Sequence, residues 1–362
     1  MKQDSNFVPD LGDRTGDQQE KTIFSLGDLL TMDVKELPCL FEPIFIKSGI
    51  AVLYGGSDAG KSTLLRQMAM CVATGRDFLG WKYKGEHHRA IYFSSEDDDR
   101  LTAIVTQRYN KTMQLPKQAY ENLRFSFEID PDTIATKVAE MLKAQPADLV
   151  VIDALADAFN GKSLNDNKEI RAFYAPFKAI AKECNCLIIF NHHSGKRTDA
   201  YSPTKDNSLG SQAIEAAPRL AIELRPDPDN AEIKHFCVVK CNYLSSSYKT
   251  QSYALKMDEN FVFSTTGERS NYADLAKNNR PQQKGKRWHD YDEAHHRTFI
   301  ASTFAETSEM NQSQLAKAIA IEFEISTKTA IENWIPVYLK KGMIKTGKKT
   351  QAKNAILYKS NL

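Results

Sequence analysis

Apolar and polar residues fall in alternating blocks along the chain, and the block lengths predict a repeated strand–helix unit. Continuous apolar runs of strand length lie at 50–54, 90–94, 123–127, 148–153 and 186–190. Between them, segments 63–74, 99–111, 132–144 and 168–183 carry apolar positions at helical spacing. Strands apolar on both faces belong to parallel sheets covered by helices on each side. Runs at 216–224, 233–241, 252–257 and 261–263 follow without intervening helices and predict antiparallel strands added to one side of that sheet.

Around this body the pattern changes. Residues 1–21 are polar and mixed in charge, the composition of a flexible tail and not of a secretory signal. Residues 22–46 alternate short apolar runs with Pro38 and Pro43 and predict a segment packed on the edge of the main domain. Segment 266–288 is rich in Asn, Gln, Lys and Gly and reads as a linker between a 22–265 domain and a 289–362 domain. The latter predicts helices at 290–304, from 311, and at 326–341, then a basic hairpin over 343–359. Three helices and a two-stranded wing make a winged helix-turn-helix.

Net charge is only +2 over 362 residues, but it is uneven. From Arg280 to Leu362 there are 14 Lys and Arg against 8 Asp and Glu, so the C-terminal module is basic while the body is mildly acidic. That asymmetry suits a polyanion partner at the C-terminal end. Lys345, Lys348, Lys349 and Lys353 surround Gly347 in the wing, and Ser326-Thr327-Lys328-Thr329-Ala330 would start a recognition helix suited to duplex DNA; protein docking is the other use of such a module. No apolar run is long enough to cross a bilayer, and the six cysteines have no zinc-ribbon spacing. Reduced, buried thiols in a cytoplasmic protein are the expectation.

The chemistry concentrates where strands end. Gly55-Gly56-Ser57-Asp58-Ala59-Gly60-Lys61-Ser62-Thr63 matches G-x-x-x-x-G-K-[ST] between a buried strand and a helix. Its glycines let main-chain N–H groups converge on phosphate oxygens, Lys61 would reach the β- and γ-phosphates of ATP, and Ser62 would hold Mg²⁺. The strand 148–153 ends in Asp153, the expected second, water-mediated Mg²⁺ contact. The strand 90–94 is followed by Ser95-Glu96-Asp97, where Glu96, with Asp97 second, is the candidate to polarise an attacking water. After the strand 186–190 comes Asn191-His192-His193, with no carboxylate or Cys at metal-ligand spacing. An Asn or His there, with His192 the candidate, would sense the γ-phosphate and pass the signal to the polar loop 195–211. That loop is either a mobile nucleic-acid contact or a plain surface loop.

With these motifs in order over 41–265, the chain resembles the RepA-type hexameric helicases of broad-host-range plasmids, within the RecA/DnaB-like P-loop ATPases. Ser95-Glu96-Asp97 resembles that family's Ala-Glu-Asp, Asp153-Ala154-Leu155 its Walker B end, and Asn165-Asp166-Asn167 the polar loop after it. His192-His193 with Lys196 resembles its His-His-x-x-Lys. Leu209-Gly210-Ser211-Gln212-Ala213 resembles its Arg-Gly-Ser-Ser segment, with Leu209 in place of the Arg, and Lys240-Cys241-Asn242-Tyr243 its Lys-x-Asn-Tyr. The resemblance implies a homo-oligomeric ring, a hexamer, with ATP between subunits and Arg219, or Lys240 in the same region, reaching the neighbour's γ-phosphate. It implies a helicase or loader moving on single-stranded DNA through its central loops. The alternative is a regulator that binds duplex DNA without unwinding it, and a small-molecule kinase is a third reading that leaves the C-terminal module without a role.

Overall fold

A computed structural model describes residues 23–34, 36–195, 198–276, 288–305, 307–323, 325–347 and 356–362, apart from the side chain at 199. The predicted tail and residues 277–287 of the linker therefore lie outside the described residues, as do Lys196, Arg197, Lys348, Lys349 and Lys353. The chain divides into two compact units, 1–279 and 280–362.

The first unit is built on a nine-stranded, mostly parallel sheet. Its parallel part comprises β3 (Gly49–Gly55), β5 (Ala90–Ser94), β6 (Leu123–Ser126), β7 (Leu149–Asp153), β8 (Leu187–His193) and β9 (Leu220–Pro226). The antiparallel extension is β10 (Ile233–Cys241), β11 (Tyr253–Met257) and β12 (Phe263–Thr265). Across the sheet the order is β12-β11-β10-β9-β3-β8-β7-β5-β6. The crossovers carry α2 (Lys61–Thr74), α3 (Asp99–Met113), α4 (Ile134–Ala144), the short α5 (Leu155–Ala158) and α6 (Asn167–Glu183).

Side-chain alternation along β3 explains the two layers. Ala51 and Leu53 face one core with Leu64, Leu65 and Met68 of α2. Ile50, Val52 and Tyr54 face a second core with Val138 and Leu142 of α4 and Phe173, Tyr174 and Phe177 of α6. The N-terminal strands β1 (Cys39–Glu42) and β2 (Phe45–Ile46) pair with each other and β1 with β4 (Lys82–Tyr83), and Phe41 and Phe45 join Phe78 and Trp81 in the first core. Upstream of them, α1 (Leu26–Leu30) has a Ser25–Asp28 capping box but no buried residue, so only the second half of the predicted edge segment packs.

Two predicted boundaries shift. The strand expected over 216–224 begins at Leu220, because Ala213–Ala216 closes a short helix, α7, before it. The linker expected from 266 starts later: Tyr272 and Leu275 are buried beside Cys237, and the Tyr272 hydroxyl donates to the Val238 carbonyl at 3.0 Å. No helix among the described residues is long and apolar enough to cross a membrane.

The second unit holds α8 (Glu293–Thr303), β13 (Met310–Asn311), α9 (Gln312–Glu322), α10 (Thr327–Thr329), α11 (Ile335–Lys340), β14 (Ile344–Thr346) and β15 (Leu357–Ser360). Its three strands pair as β13-β15-β14, so the expected hairpin gains a third, short strand. Between α10 and α11 the segment Ala330–Trp334 is π-helical. Pro336 comes two residues after its end, and the wider turn accommodates a residue that can donate no helical hydrogen bond. Trp288 belongs to this unit's core, not to a linker: its indole stacks on the buried His296 ring at 4.2 Å between centroids.

Candidate active site

The phosphate loop leaves β3 where that strand lies between β8 and β9, and α2 begins at its end. A Cβ on Gly55 would stand 2.1 Å from the Leu224 carbonyl oxygen, and Gly60 has φ +89° with Phe263 2.9 Å from the place of a Cβ. Both positions therefore require glycine. The first turn of α2 leaves N–H groups at Lys61, Ser62 and Thr63 without intrahelical acceptors, facing the same concavity. Lys61 is only 6% exposed and its ammonium donates to the Gly56 carbonyl at 2.9 Å. Burial pulls its pKa down, and the carboxylates of Asp153, Glu96 and Asp58 oppose that shift.

Three strand ends converge on this loop. Asp153, at the end of β7, is buried, and both its oxygens are engaged, one by the Tyr92 hydroxyl and the other by the Asn191 amide. Asn191 also donates to the Ser62 hydroxyl at 3.2 Å. The predicted Mg²⁺ pair, Ser62 and Asp153, is thus joined through one side chain from β8. The site's residues suit a hydrated divalent ion with bound phosphates: a hydroxyl and a carboxylate side by side, a glycine cradle, and the Asn191 Oδ1 buried without a protein partner.

Beyond β5, Glu96 has a half-exposed side chain, with the His193 Nε2 3.6 Å from its carboxylate. Asp97, the second candidate for water activation, is committed elsewhere. It pairs with Arg66, which is 4% exposed in the middle of α2 and stacks over Tyr92. The pair fixes the turn that presents Glu96.

His192 is placed differently from its predicted role. Residues alternate along β8, so Asn191 and His193 share the face toward the phosphate loop while His192 points to the opposite face. There its Nε2 meets the Leu209 carbonyl at 2.7 Å, its ring is 1% exposed, and desolvation lowers its pKa to about 4. Asn191 and His193 face the phosphate loop, and His192 connects β8 to the following loop.

Residues 198–207 of that loop are held by bonds to the sheet. Glu223 and Arg225 on β9 form a buried pair at 3.4 Å. Arg225 donates to the carbonyls of Tyr201 and Thr198, while Glu223 accepts from the Thr204 N–H and the Asn207 amide. The Tyr54 hydroxyl donates to the Thr204 carbonyl at 2.7 Å. Within the resembled polar loop, Asp166 caps α6 and Asn167 accepts from the Ala213 N–H at 2.9 Å, so both serve the scaffold.

Arg219 stands at the other end of β3. Its N–H bonds the Ile50 carbonyl at 3.1 Å, and its guanidinium donates to the Tyr243 hydroxyl at 2.9 Å. Five residues of strand, about 16 Å, separate that point from Gly55. Here Arg219 lines a cleft of about 510 Å³ with Lys178, Lys182 and Lys240. Lys240 donates to the Glu215 and Ala216 carbonyls. The Lys178 and Lys240 pKa values are lowered, mainly by burial; Arg171 and Arg219 add to this at Lys178, while at Lys240 the Glu215 carboxylate opposes it and Lys205, Lys178 and Arg219 add to it.

Sequence reasoning found the phosphate loop, Asp153 and Glu96 but missed Tyr92, Arg66 and the pairing of Glu223 with Arg225. Tyr92 looks like any aromatic in a buried strand. A charge inside an apolar helix or strand, as at Arg66, Glu223 and Arg225, was the available signal.

The profile of the family described as AAA domain matches residues 23–199, the stretch that carries the phosphate loop, Glu96, Asp153 and His193. Among solved structures, one described as an ATPase domain is 13% identical with a TM-score of 0.47, over 60% of this chain and 84% of that one. A KaiC-like protein from the hyperthermophilic archaeon Pyrococcus horikoshii OT3 is 18% identical with a TM-score of 0.45, over 62% of this chain and 93% of that one. No curated protein matches the chain.

Proposed function

We propose that this chain is an ATP-hydrolysing motor of the RecA-like class that works as a ring. In this reading it is a RepA-type helicase or loader in the replication or mobilisation of a plasmid or other mobile element. The reading rests on one observation: the groups needed for phosphoryl transfer are divided between opposite ends of β3. Lys61, Ser62, Asp153 and Glu96 lie at one end, and Arg219 lies with Lys178, Lys182 and Lys240 at the other. One copy cannot bring both to a single γ-phosphate. A head-to-tail contact between copies can, and a repeated head-to-tail contact closes into a ring.

In such an interface the main-chain amides of 56–62 hold the phosphates, and Lys61 neutralises the β- and γ-oxygens. Ser62 and, through water, Asp153 would hold Mg²⁺, which would supply further neutralisation of the triphosphate. Glu96 orients the attacking water, with His193 beside it, and Asn191 registers the state of the site through its contacts with both Ser62 and Asp153. The neighbour's Arg219 meets the charge that develops on the transferred group.

Complementation tests the division. Glu96→Gln damages one end and Arg219→Ala the other, and each variant alone should be inactive. Mixed in equal amounts, roughly one head-to-tail interface in four joins two intact halves, and ATPase should return in that proportion. A mixture as inactive as its parents sinks the shared-site reading.

The second reading, an ATP-dependent regulator binding duplex DNA, is favoured by one observation. The C-terminal unit has its own core, and Lys328 is exposed at the start of its third helix. ATPase stimulation separates the two: single strands accelerate a motor, whereas a regulator responds to a defined duplex and turns over slowly.

A further inference from the structure

We infer that Tyr92 is a positioning residue for a Mg²⁺–nucleotide complex, acting through the carboxylate of Asp153. This deepens the ATPase reading above and rests on its nucleotide site, not on the ring.

The contact is built by strand register. β7 lies between β8 and β5, so Asp153 at its end has a neighbouring strand on each side. Tyr92 of β5, Val151 of β7 and Ile189 of β8 all face the core beneath α2. Two residues on from Val151 and Ile189, Asp153 and Asn191 continue the same face toward the phosphate loop. Ser94 stands opposite Asp153 on β5, which places Tyr92 one step back along that face, and Phe190 stands opposite Ile152 on β8. From these two flanks the Tyr92 hydroxyl donates to one carboxylate oxygen of Asp153 and the Asn191 amide to the other. The main chain there is held as well. The Ser95 N–H donates to the Asp153 carbonyl at 2.8 Å, and the Ala154 N–H donates to the Ser95 hydroxyl at 3.0 Å.

Packing alone does not ask for the hydroxyl. The Tyr92 ring is fully buried, 5.5 Å from the Phe125 ring and 5.7 Å from the Arg66 guanidinium, and a phenylalanine would fill the same space. What the hydroxyl adds is one donor to a carboxylate that is itself 2% exposed. Among the described residues the bonds to that carboxylate come from neutral groups, and the Lys61 ammonium bonds the Gly56 carbonyl instead. Two neutral donors reduce the cost of burying a negative charge without cancelling it. They also fix its direction. A carboxylate tied at both oxygens cannot rotate, and the lone pairs left over keep one orientation. The Ser62 hydroxyl belongs to the same frame: Asn191 donates to it at 3.2 Å, and the Ser62 carbonyl lies 3.5 Å from the Tyr92 hydroxyl. Groups that hold a metal's ligands in this way tune its binding as strongly as many ligands do.

The test is the tightening of nucleotide binding by Mg²⁺. Binding of fluorescent N-methylanthraniloyl-ADP to the full chain is measured with Mg²⁺ and with EDTA. Tyr92→Phe keeps the ring and removes the hydroxyl, and its circular dichroism spectrum should match that of the unaltered chain. Its dissociation constant in EDTA should stay within about 2-fold, while the tightening by Mg²⁺ should shrink by about 10-fold or more. Asp153→Asn should remove the tightening, and Tyr92→Phe added to it should change nothing further. If the full tightening survives in Tyr92→Phe, the hydroxyl serves packing alone and the inference is overturned while the ATPase reading stands. An equal loss with and without Mg²⁺ overturns it too, because the hydroxyl then supports the phosphate loop and not the metal. So does a further loss in the Asp153→Asn background, or an unaltered chain that binds nucleotide equally well in EDTA. If the unaltered chain binds no nucleotide under either condition, the ATPase reading falls and this inference with it.

Discussion

The two ends of the central sheet carry charge in opposite ways. At the phosphate-loop end, Lys61 has Asp153, Glu96 and Asp58 around it, and Arg66 has Asp97. At the far end, Arg219, Lys178, Lys182 and Lys240 share a cleft whose nearby carboxylate is Glu215, buried and with its pKa raised by desolvation. Lys178 and Lys240 are themselves pushed toward neutrality, in part by each other's neighbourhood. A site that is electrostatically closed needs a substrate; a cleft of cations short of counter-charge needs an anion. The proposed reading joins the two through one triphosphate, gripped by the first end and met by the second from another copy.

Breaking the grip should have the largest effect. In the proposed reading Lys61→Ala removes the charge that would face the β- and γ-phosphates, and calorimetry should register no ATP binding while the circular dichroism spectrum stays the same. Breaking the far end should leave ATP binding intact. Arg219→Ala is expected to lower turnover of the assembled protein by about 10³-fold, the low end for an arginine supplied in trans. An equal loss in the isolated subunit would mean that Arg219 acts only within its own chain. Glu96→Gln should keep binding and assembly and reduce turnover by about 10²- to 10⁴-fold, measured in single-turnover experiments. Normal turnover would remove Glu96 from the chemistry.

A smaller effect separates position from chemistry at the closed end. Arg66→Met leaves Asp97 without its partner in a site only a quarter exposed, and loss of one member of a buried pair costs about 3–5 kcal/mol. Urea denaturation should show that loss, and the double variant Arg66→Met, Asp97→Asn should recover part of it. Recovered stability without recovered turnover would identify the pair as the support that aims Glu96.

The contrast between the ends also explains what the sequence revealed. The closed end is written in short-range signals: glycines forced by a backbone approach at Gly55 and a left-handed turn at Gly60, then carboxylates just after apolar strands. The parallel strands were legible for the same reason, since a residue buried on both faces must be apolar. The open cleft gathers Lys178 from a helix, Arg219 from a loop and Lys240 from a strand, and no spacing rule links three such elements. The resemblance pointed to Arg219, but nothing local pointed to Lys178. The β9 strand hid its purpose too, because Glu223 and Arg225 suggest an exposed face in a pattern reading and are instead buried under a loop. His192 and His193 were inseparable by proximity in sequence, and only the two-residue period of β8 assigns them to opposite faces.

The smallest expected effect is a pH dependence that comes from the first of those two histidines. His192 is neutral in the folded chain, with a pKa lowered to about 4, because burial disfavours its charged form by more than the bond between its Nε2 and the Leu209 carbonyl favours it. In the unfolded chain it titrates near the ordinary histidine value of about 6.5. Above that value neither state carries the proton, so His192 contributes no pH dependence. Between about 6.5 and 4 the unfolded chain binds a proton that the folded chain refuses, so stability falls as the solution is acidified through this window. The full difference is on the order of 3 kcal/mol. Replacing His192 by Gln keeps a neutral side chain and removes the titration. Urea midpoints for the variant should therefore vary less between pH 7 and pH 5 than those of the unaltered chain. If the slope is the same in the variant, the ring that meets the Leu209 carbonyl is not its source, and the link from β8 to the loop that follows it has to be redrawn.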